Sequence, residues 1–379
     1  MKKDKRLLFV ANVAKEHILK FHIPTIRKLK EEQWIVDVAC SMDTNINECD
    51  HCWNMKYKRN PISMKTFEGI LQLRKILIKN RYDIIYCHTA TGSIVARLAI
   101  ATLKYKPTLI YMAHGFHFYK GAPLKNWLIF YPIEKILSRW TDYLITINRE
   151  DFELAKMRRM YKKCLYIIPG IGVDFERLQE NNNSKDEIRK SLGLNTNDIV
   201  MTYIAELIPN KNQGKLIDVL KILNNKYPNI KLMLIGPDHN QGKYLEYAKR
   251  EGIEDKVIFT GWRNDIGNLL RASDIYVASS INEGFGINLV EAMFCGLPVV
   301  AFENRGHKEI IENGKTGYLV KQGNILKMSE CIEKVLNKEY EKISKVVKEV
   351  AKKYEKSIIT DRVVNIINNI YVKESEDEK

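Results

Sequence analysis

Glu283 and Glu291 stand eight residues apart in the stretch INEGFGINLVEAMFCGLPVV, bracketing Gly284-Phe285-Gly286 and the start of an apolar run. The glycine pair marks a turn that needs unusual dihedrals or close approach to something. From Ile287 to Cys295 the apolar residues Leu289, Val290, Met293 and Phe294 recur at a spacing that predicts a short helix packed on one face. Gly296 is placed to cap its C-terminus, Pro298 prevents continuation, and Val299–Ala301 reads as a buried strand. Glu283 then precedes a helix N-terminus and Glu291 lies a turn or more inside it. Between them are free backbone N–H groups and the positive end of the helix dipole, an anion site. The chemistry such a unit offers is a phosphate held with a polyol at each side.

These residues need a scaffold. Strand-like segments alternate with helical ones along the chain, which predicts α/β structure with parallel sheets. LLFVANV, WIVDVAC, DIIYCHT, TLIYMAH and YLITIN are the strands of the first half, with FHIPTIRKLKEE, FEGILQLRKILIKN and SIVARLAIATLK between them. After IPGIGVDFERL and the polar QENNNSKDE the pattern restarts with IVMTYIAEL, KLMLIGP, VIFTGW, IYVASS and PVVAF. The expected domains are 1–175, 176–354, and a helix over 355–379 that crosses back to the first domain and frays at ESEDEK. Two doubly wound domains bind ligands in the cleft at the carboxyl ends of their strands. The conspicuous residues gather at those ends: His114-Gly115 after TLIYMA, Glu206 after IVMTYIA, Gly236-Pro237 after KLMLI, Gly261 after VIFT, and Glu283 after DIYVASS.

Composition narrows the class. A chain of 379 residues suggests two domains, and 45% hydrophobic content is ample for their cores. No apolar run approaches the roughly 18 residues of a membrane span. The opening MKKDKRLLFVANVAKEH imitates a signal peptide but lacks a cleavage site, and reads better as a first strand. Seven cysteines, an odd number, point to a reduced compartment, and Cys49-Asp-His-Cys52 is a lone CxxC without a second pair at zinc spacing. The net charge of +15 is confined to one half: residues 1–165 hold 30 Lys and Arg against 15 Asp and Glu, and residues 166–379 hold 31 of each. That field favours phosphate-rich surfaces, anionic lipid or nucleic acid, or is simply a solvated basic face. No nucleic-acid-binding module is recognisable.

The sequence resembles the family 4 glycosyltransferases of GT-B fold over nearly its whole length. EGFGINLVE, SDIYVASS, AMFCGLPVVA, IPGIGVD, the lysine of IPNKNQ, and AHGFHFYKG carry the likeness. HILKFHIP, CDHCWNMKYKRNP and AHGFHFYKGAP bring the first half closest to capsule and exopolysaccharide enzymes. The resemblance implies a GT-B fold, two doubly wound Rossmann-like domains facing across a cleft. It implies that Glu291 binds the ribose hydroxyls of a nucleotide-sugar donor, which suits a carboxylate facing a vicinal diol. It gives Glu283 a hydroxyl of the transferred hexose, and the amides of Ile287, Asn288 and Leu289, after Gly284-Phe285-Gly286, the diphosphate. Lys211 would neutralise the leaving diphosphate, where charge builds as the glycosidic bond breaks. His114 would reach the sugar, and Gly261, Trp262 and Arg263 would recognise uracil through backbone atoms.

Two departures stand out. Many relatives carry an arginine five residues before the lysine; here that residue is Glu206. Arg305 is either the replacement cation or a surface ion-pair partner of Glu303 or Glu309. The first βα loop reads Ala11-Asn12-Val13-Ala14 instead of a glycine pair, and Asn12, His17 and His22 are candidates to touch the acceptor. No Asp-x-Asp is present, so neither metal nor other cofactor is expected. The implied reaction moves a hexose, expected to be an N-acetylhexosamine, from a UDP-sugar to a polyprenyl-diphosphate-linked saccharide, with retention. The enzyme would sit in the cytoplasm against the anionic inner face of the membrane, through basic segments such as KYKRNP, RKILIKNR and MRRMYKK. The alternatives are a UDP-sugar epimerase of the same fold, or a non-catalytic nucleotide-sugar-binding subunit of an assembly complex.

Overall fold

The computed structural model describes residues 4–57, 63–179 and 183–377. Residues 58–61 of the basic KYKRNP stretch and 180–182 of QENNNSKDE lie outside them. The chain divides into two compact units, Met1–Gly172 with Lys356–Lys379, and Val173–Glu355.

The first unit is built on seven parallel strands: β1 (Lys5–Val13), β2 (Trp34–Ser41), β3 (His51–Asn54), β4 (Ile84–His88), β5 (Thr108–Ala113), β6 (Tyr143–Thr146) and β7 (Cys164–Ile167). Their order is β3-β2-β1-β4-β5-β6-β7. Leu7 to Ala11 are wholly buried, as a central parallel strand covered on both faces must be. The covering helices are α1 (Ile23–Glu31), α2 (Met64–Asn80), α3 (Ala90–Ala101), α4 (Leu124–Leu137) and α5 (Arg149–Arg158). A π-helical segment, Ala14–His22, joins β1 to α1. α4 is pinned to α3 by a buried ion pair, Arg97 Nη1 to Glu134 Oε2 at 2.7 Å and Nη2 to Oε1 at 3.1 Å, with the guanidinium 4.6 Å over the Tyr111 ring.

The second unit has six parallel strands: β8 (Ile199–Ile204), β9 (Ile230–Ile235), β10 (Val257–Gly261), β11 (Ile275–Ala278), β12 (Val299–Phe302) and β13 (Gly317–Val320). Their order is β10-β9-β8-β11-β12-β13. Its helices are α6 (Lys185–Ser191), α7 (Gly214–Asn224), α8 (Lys243–Arg250), α9 (Ile266–Ala272), α10 (Ile287–Phe294), α11 (Arg305–Ile310), α12 (Ile325–Lys334) and α13 (Tyr340–Lys352). α14 (Lys356–Asp377) then belongs to the first unit, packed on α1. It runs through Asp377 rather than fraying at Glu374. Glu374 accepts hydrogen bonds from Tyr143 Oη at 2.6 Å and Thr108 Oγ1 at 3.3 Å and pairs with Lys163, which holds the last turn.

Both sheets are the parallel, doubly wound sheets expected from the sequence. Strand order reverses between β1 and β4 in one unit and between β8 and β11 in the other, and a ligand crevice opens at such a switch point.

Candidate active site

In the second unit the switch point is filled by the loop from β11 to α10. Gly286 holds φ +124°, a backbone conformation L side chains rarely adopt. Gly306 in α11 packs so closely on the loop that a Cβ would strike the Phe285 carbonyl. The loop is clamped by its neighbours: Asn304 Nδ2 and Gln322 Nε2 donate to the Ser280 carbonyl at 3.0 and 2.9 Å. Ile281 N donates to Asn210 O at 2.8 Å, and Ser279 Oγ to Lys211 O at 2.7 Å. The lysine turn Pro209–Lys211 and the glutamate loop are therefore one rigid piece.

That piece brings Lys211 onto Glu283. The ammonium and the carboxylate form an ion pair, and Ser280 Oγ donates to the same Oε1 at 2.6 Å. α10 begins beside them with no side-chain cap. Of the three amides expected to meet a diphosphate, that of Leu289 is engaged within the turn, donating to Gly286 O at 3.0 Å. The amides of Ile287 and Asn288 remain at the open end. Asn288 Nδ2 donates to Ile204 O at 2.8 Å, tying the helix start to the end of β8.

Glu291 lies on the buried side of α10, its side chain 4% exposed, and pairs with Arg177, which is 53% exposed. Arg177 is not among the residues the sequence marks: IPGIGVDFERL reads only as the stretch after which the strand pattern restarts. The missing signal is chemical: a carboxylate among apolar neighbours demands a partner. Phe175 stacks on Phe294 with centroids 4.0 Å apart, which fixes the Glu176–Leu178 turn against α10.

Arg305 opens α11 and is 5% exposed, so it is not a surface side chain, and Glu303 pairs with Lys308 at 3.5 Å. Glu206 is exposed at the end of β8. Gly261, at φ +67°, accepts from Gly236 N at 2.9 Å. Arg263 is gripped by Asp265 through two bonds of 2.7 and 2.6 Å, so its guanidinium is committed and the turn offers backbone. His307 Nδ1 donates to Phe302 O, 2.7 Å away, and burial lowers its pKa.

In the first unit, the switch point gathers histidines. His17 and His22 from the π-helical segment meet His88 at the end of β4 and His114 beyond β5. His22 Nε2 lies 3.2 Å from His17 Nε2, and His88 Nδ1 lies 3.3 Å from His114 Nε2. Burial depresses all four, His114 to about 4, and mutual proximity lowers His17, His22 and His88 further. His88 was not singled out in the sequence. His114 also lines an apolar cavity of about 380 Å³ with Ile94, Tyr111, Phe116, Phe130 and Ile133. His117 stacks on Phe130 at 4.6 Å.

Residues 184–354 match the family model described as Glycosyl transferases group 1, and residues 6–148 match Glycosyl transferase 4-like. The chain is 38% identical over 336 residues to EpsD of Bacillus subtilis (strain 168), which is named a putative glycosyltransferase; the match covers 88% of each chain. It is 31% identical over 273 residues, 70% of each chain, to the UDP-Gal:alpha-D-GlcNAc-diphosphoundecaprenol alpha-1,3-galactosyltransferase of Escherichia coli. The chain belongs to this glycosyltransferase family. Its fold is that of HepE from Anabaena, solved in complex with UDP and glucose, with a TM-score of 0.78 at 20% identity over 96% of this chain and 100% of that one. The architecture is GT-B.

Proposed function

We propose that the protein transfers a hexose, from a UDP-N-acetylhexosamine, to a polyprenyl-diphosphate-linked saccharide in capsule or exopolysaccharide assembly, with retention at the anomeric carbon. The observation that carries this is the Lys211–Glu283 pair beside the uncapped start of α10, with Glu291 buried in the same helix. A cation set against one short segment that carries two open amides and two carboxylates suits a diphosphate flanked by hexose and ribose. Lys211 and Arg305 take the charge that develops on the leaving phosphate, and no divalent ion is needed there. Glu283 orients a hexose hydroxyl. The acceptor hydroxyl attacks from the side the leaving group departs, and a leaving phosphate oxygen receives its proton.

The E. coli relative is named for a UDP-Gal donor, a diphosphoundecaprenol-linked acceptor and an alpha product. UDP-galactose holds its sugar as the α anomer, so that name agrees with retention. The apolar cavity beside His114 suits a hydrocarbon segment of such an acceptor. Two helices packed on α3 favour a peripheral position at the inner membrane face. α4 exposes Leu124 (73%), Leu128 (68%), Ile129 and Ile136 next to Lys125 and Lys135. α2 exposes Met64, Phe67, Leu71 and Ile78 along one stripe, with Lys65, Lys75 and Lys79 also exposed. Apolar residues with flanking lysines are how a helix lies in a lipid interface. Among the described residues no helix is long and apolar enough to cross a membrane. The test is a thermal-unfolding screen of nucleotide sugars, followed by transfer from the stabilising donor to a polyprenyl-diphosphate sugar. A UDP-N-acetylhexosamine should raise the midpoint and be consumed only with the acceptor; no stabilisation by any nucleotide sugar would overturn the reading.

A further inference from the structure

Among the described residues, four imidazoles converge in the first unit without any carboxylate or thiol in their group. One nitrogen from each of His17, His22, His88 and His114 lies within 4.8 Å of those of the other three. The two shortest contacts, 3.2 and 3.3 Å, match the roughly 3.3–3.4 Å between nitrogens on a tetrahedral ion with ligand bonds of about 2.0–2.1 Å. We propose that His17, His22, His88 and His114 form a binding site for a divalent first-row transition ion of the zinc class.

The backbone is arranged for this meeting. His17 and His22 are five residues apart, which in an α-helix would place them on different faces. In a π-helix, hydrogen bonds close over five residues, and such segments concentrate at functional sites. Here the π-helical turn runs from Ala14 to His22 and puts both rings together, 4.9 Å between centroids. The His88 ring is 3.9 Å from that of His22 and 5.6 Å from those of His17 and His114, and it stacks on Phe9 at 5.7 Å. His88 is fully buried and turns its Nδ1, the nitrogen of the 3.3 Å contact, to His114.

The chemistry of the set suits a cation. An imidazole gives one nitrogen to a metal and retains the other for a hydrogen bond. A nitrogen-only set selects zinc, copper, nickel or cobalt over magnesium or calcium, which want oxygen. The ion keeps its full positive charge in this set, and His114, half-buried on the cavity wall, is the side from which an exogenous ligand would approach.

Cobalt(II) tests the site, because its visible absorption reports ligand type and geometry. The full chain, stripped with chelator and dialysed, should bind one equivalent of Co²⁺ with the intense visible bands of tetrahedral nitrogen ligation, and Zn²⁺ should displace it. His22→Gln and His88→Gln should each weaken binding at least ten-fold, while His239→Gln should leave it unchanged. His17→Gln serves where His88→Gln does not fold. Circular dichroism and the thermal unfolding of each metal-free variant check that it is folded. Absence of tetrahedral bands, binding indifferent to the histidine variants, or a sulfur charge-transfer band placing the ion on Cys49 and Cys52 would each overturn the proposal.

Discussion

Arg177 and Glu291 provide the sharpest test of the donor assignment, because the ribose and the guanidinium would claim the same carboxylate. In the free protein Glu291 Oε1 is held by Arg177. Arg177→Ala leaves a carboxylate that is 4% exposed without that partner. Breaking a fully buried pair costs about 3–5 kcal/mol. Arg177 is itself half exposed, so water reaches the vacated position and about 1–3 kcal/mol is the better figure. Ribose hydroxyls would restore the lost bonds, so UDP should stabilise Arg177→Ala more than it stabilises wild type. For wild type, ligand at one hundred times its Kd adds about 2.7 kcal/mol, a midpoint rise of roughly 5–10 °C for a unit of this size. Glu291→Gln removes a charge-assisted acceptor worth about 1.5–3 kcal/mol, or roughly ten- to a hundred-fold in Kd. Calorimetric titration with UDP and thermal unfolding with and without it measure all three proteins. Wild-type affinity in Glu291→Gln would refute the ribose assignment. Equal UDP shifts in wild type and Arg177→Ala would refute the competition.

The leaving-group cations are tested by single-turnover transfer: Lys211→Ala and Arg305→Ala should each slow it by roughly a hundred- to a thousand-fold, and an unchanged Arg305→Ala would leave Lys211 and α10 alone in the role. Binding to vesicles should rise with anionic lipid, fall with salt as screening requires, and drop sharply in Leu124→Glu/Leu128→Glu; equal binding to neutral vesicles would remove the membrane reading. His307 is buried with its pKa lowered, so the unfolded chain takes up its proton first as pH falls below about 6.5, and acid costs stability. His307→Gln should therefore flatten the fall of the unfolding midpoint between about pH 6.5 and 5, by at most one proton or about 1.4 kcal/mol per pH unit; an unchanged slope would show that His307 does not titrate there.

What could be read beforehand was whatever short-range chemistry dictates. Gly286, Gly296 and Pro298 punctuate α10 so strongly that its start, end and the following strand are visible in the letters. The central strands are equally plain, because both faces are covered and their middles are apolar runs such as Leu7–Ala11. The edge strands β3, β7 and β13 are four residues each, too short for either period to emerge. Arg177 was hidden because its partner is 114 residues away, and nothing local marks it. His88 ends a strand whose other residues are core, so it reads as packing. The π-helical segment defeats a 3.6-residue template, and with it the meeting of His17 and His22 goes unseen.

Glu206 is the departure that most threatens catalysis, and its position decides how much. It is exposed at the end of β8, where two charges about 4 Å apart interact by only about 1 kcal/mol in water, against roughly four times that near a protein surface of lower effective dielectric. An arginine there would be weakened by the same solvent. Arg305 is already buried, in the first turn of a helix that Gly306 seats against the Phe285 carbonyl, so it needs little reorganisation when charge appears beside it. Lys211 starts neutralised by Glu283. On the proposed reading the donor exchanges those partners, the hexose hydroxyl taking the carboxylate and the phosphate taking the ammonium. The cation is thus masked while the site is empty and exposed by the substrate it must stabilise. On the same reading a second, fixed guanidinium at Arg305 outweighs a solvated one at position 206, and the loss of arginine at that strand end is tolerable.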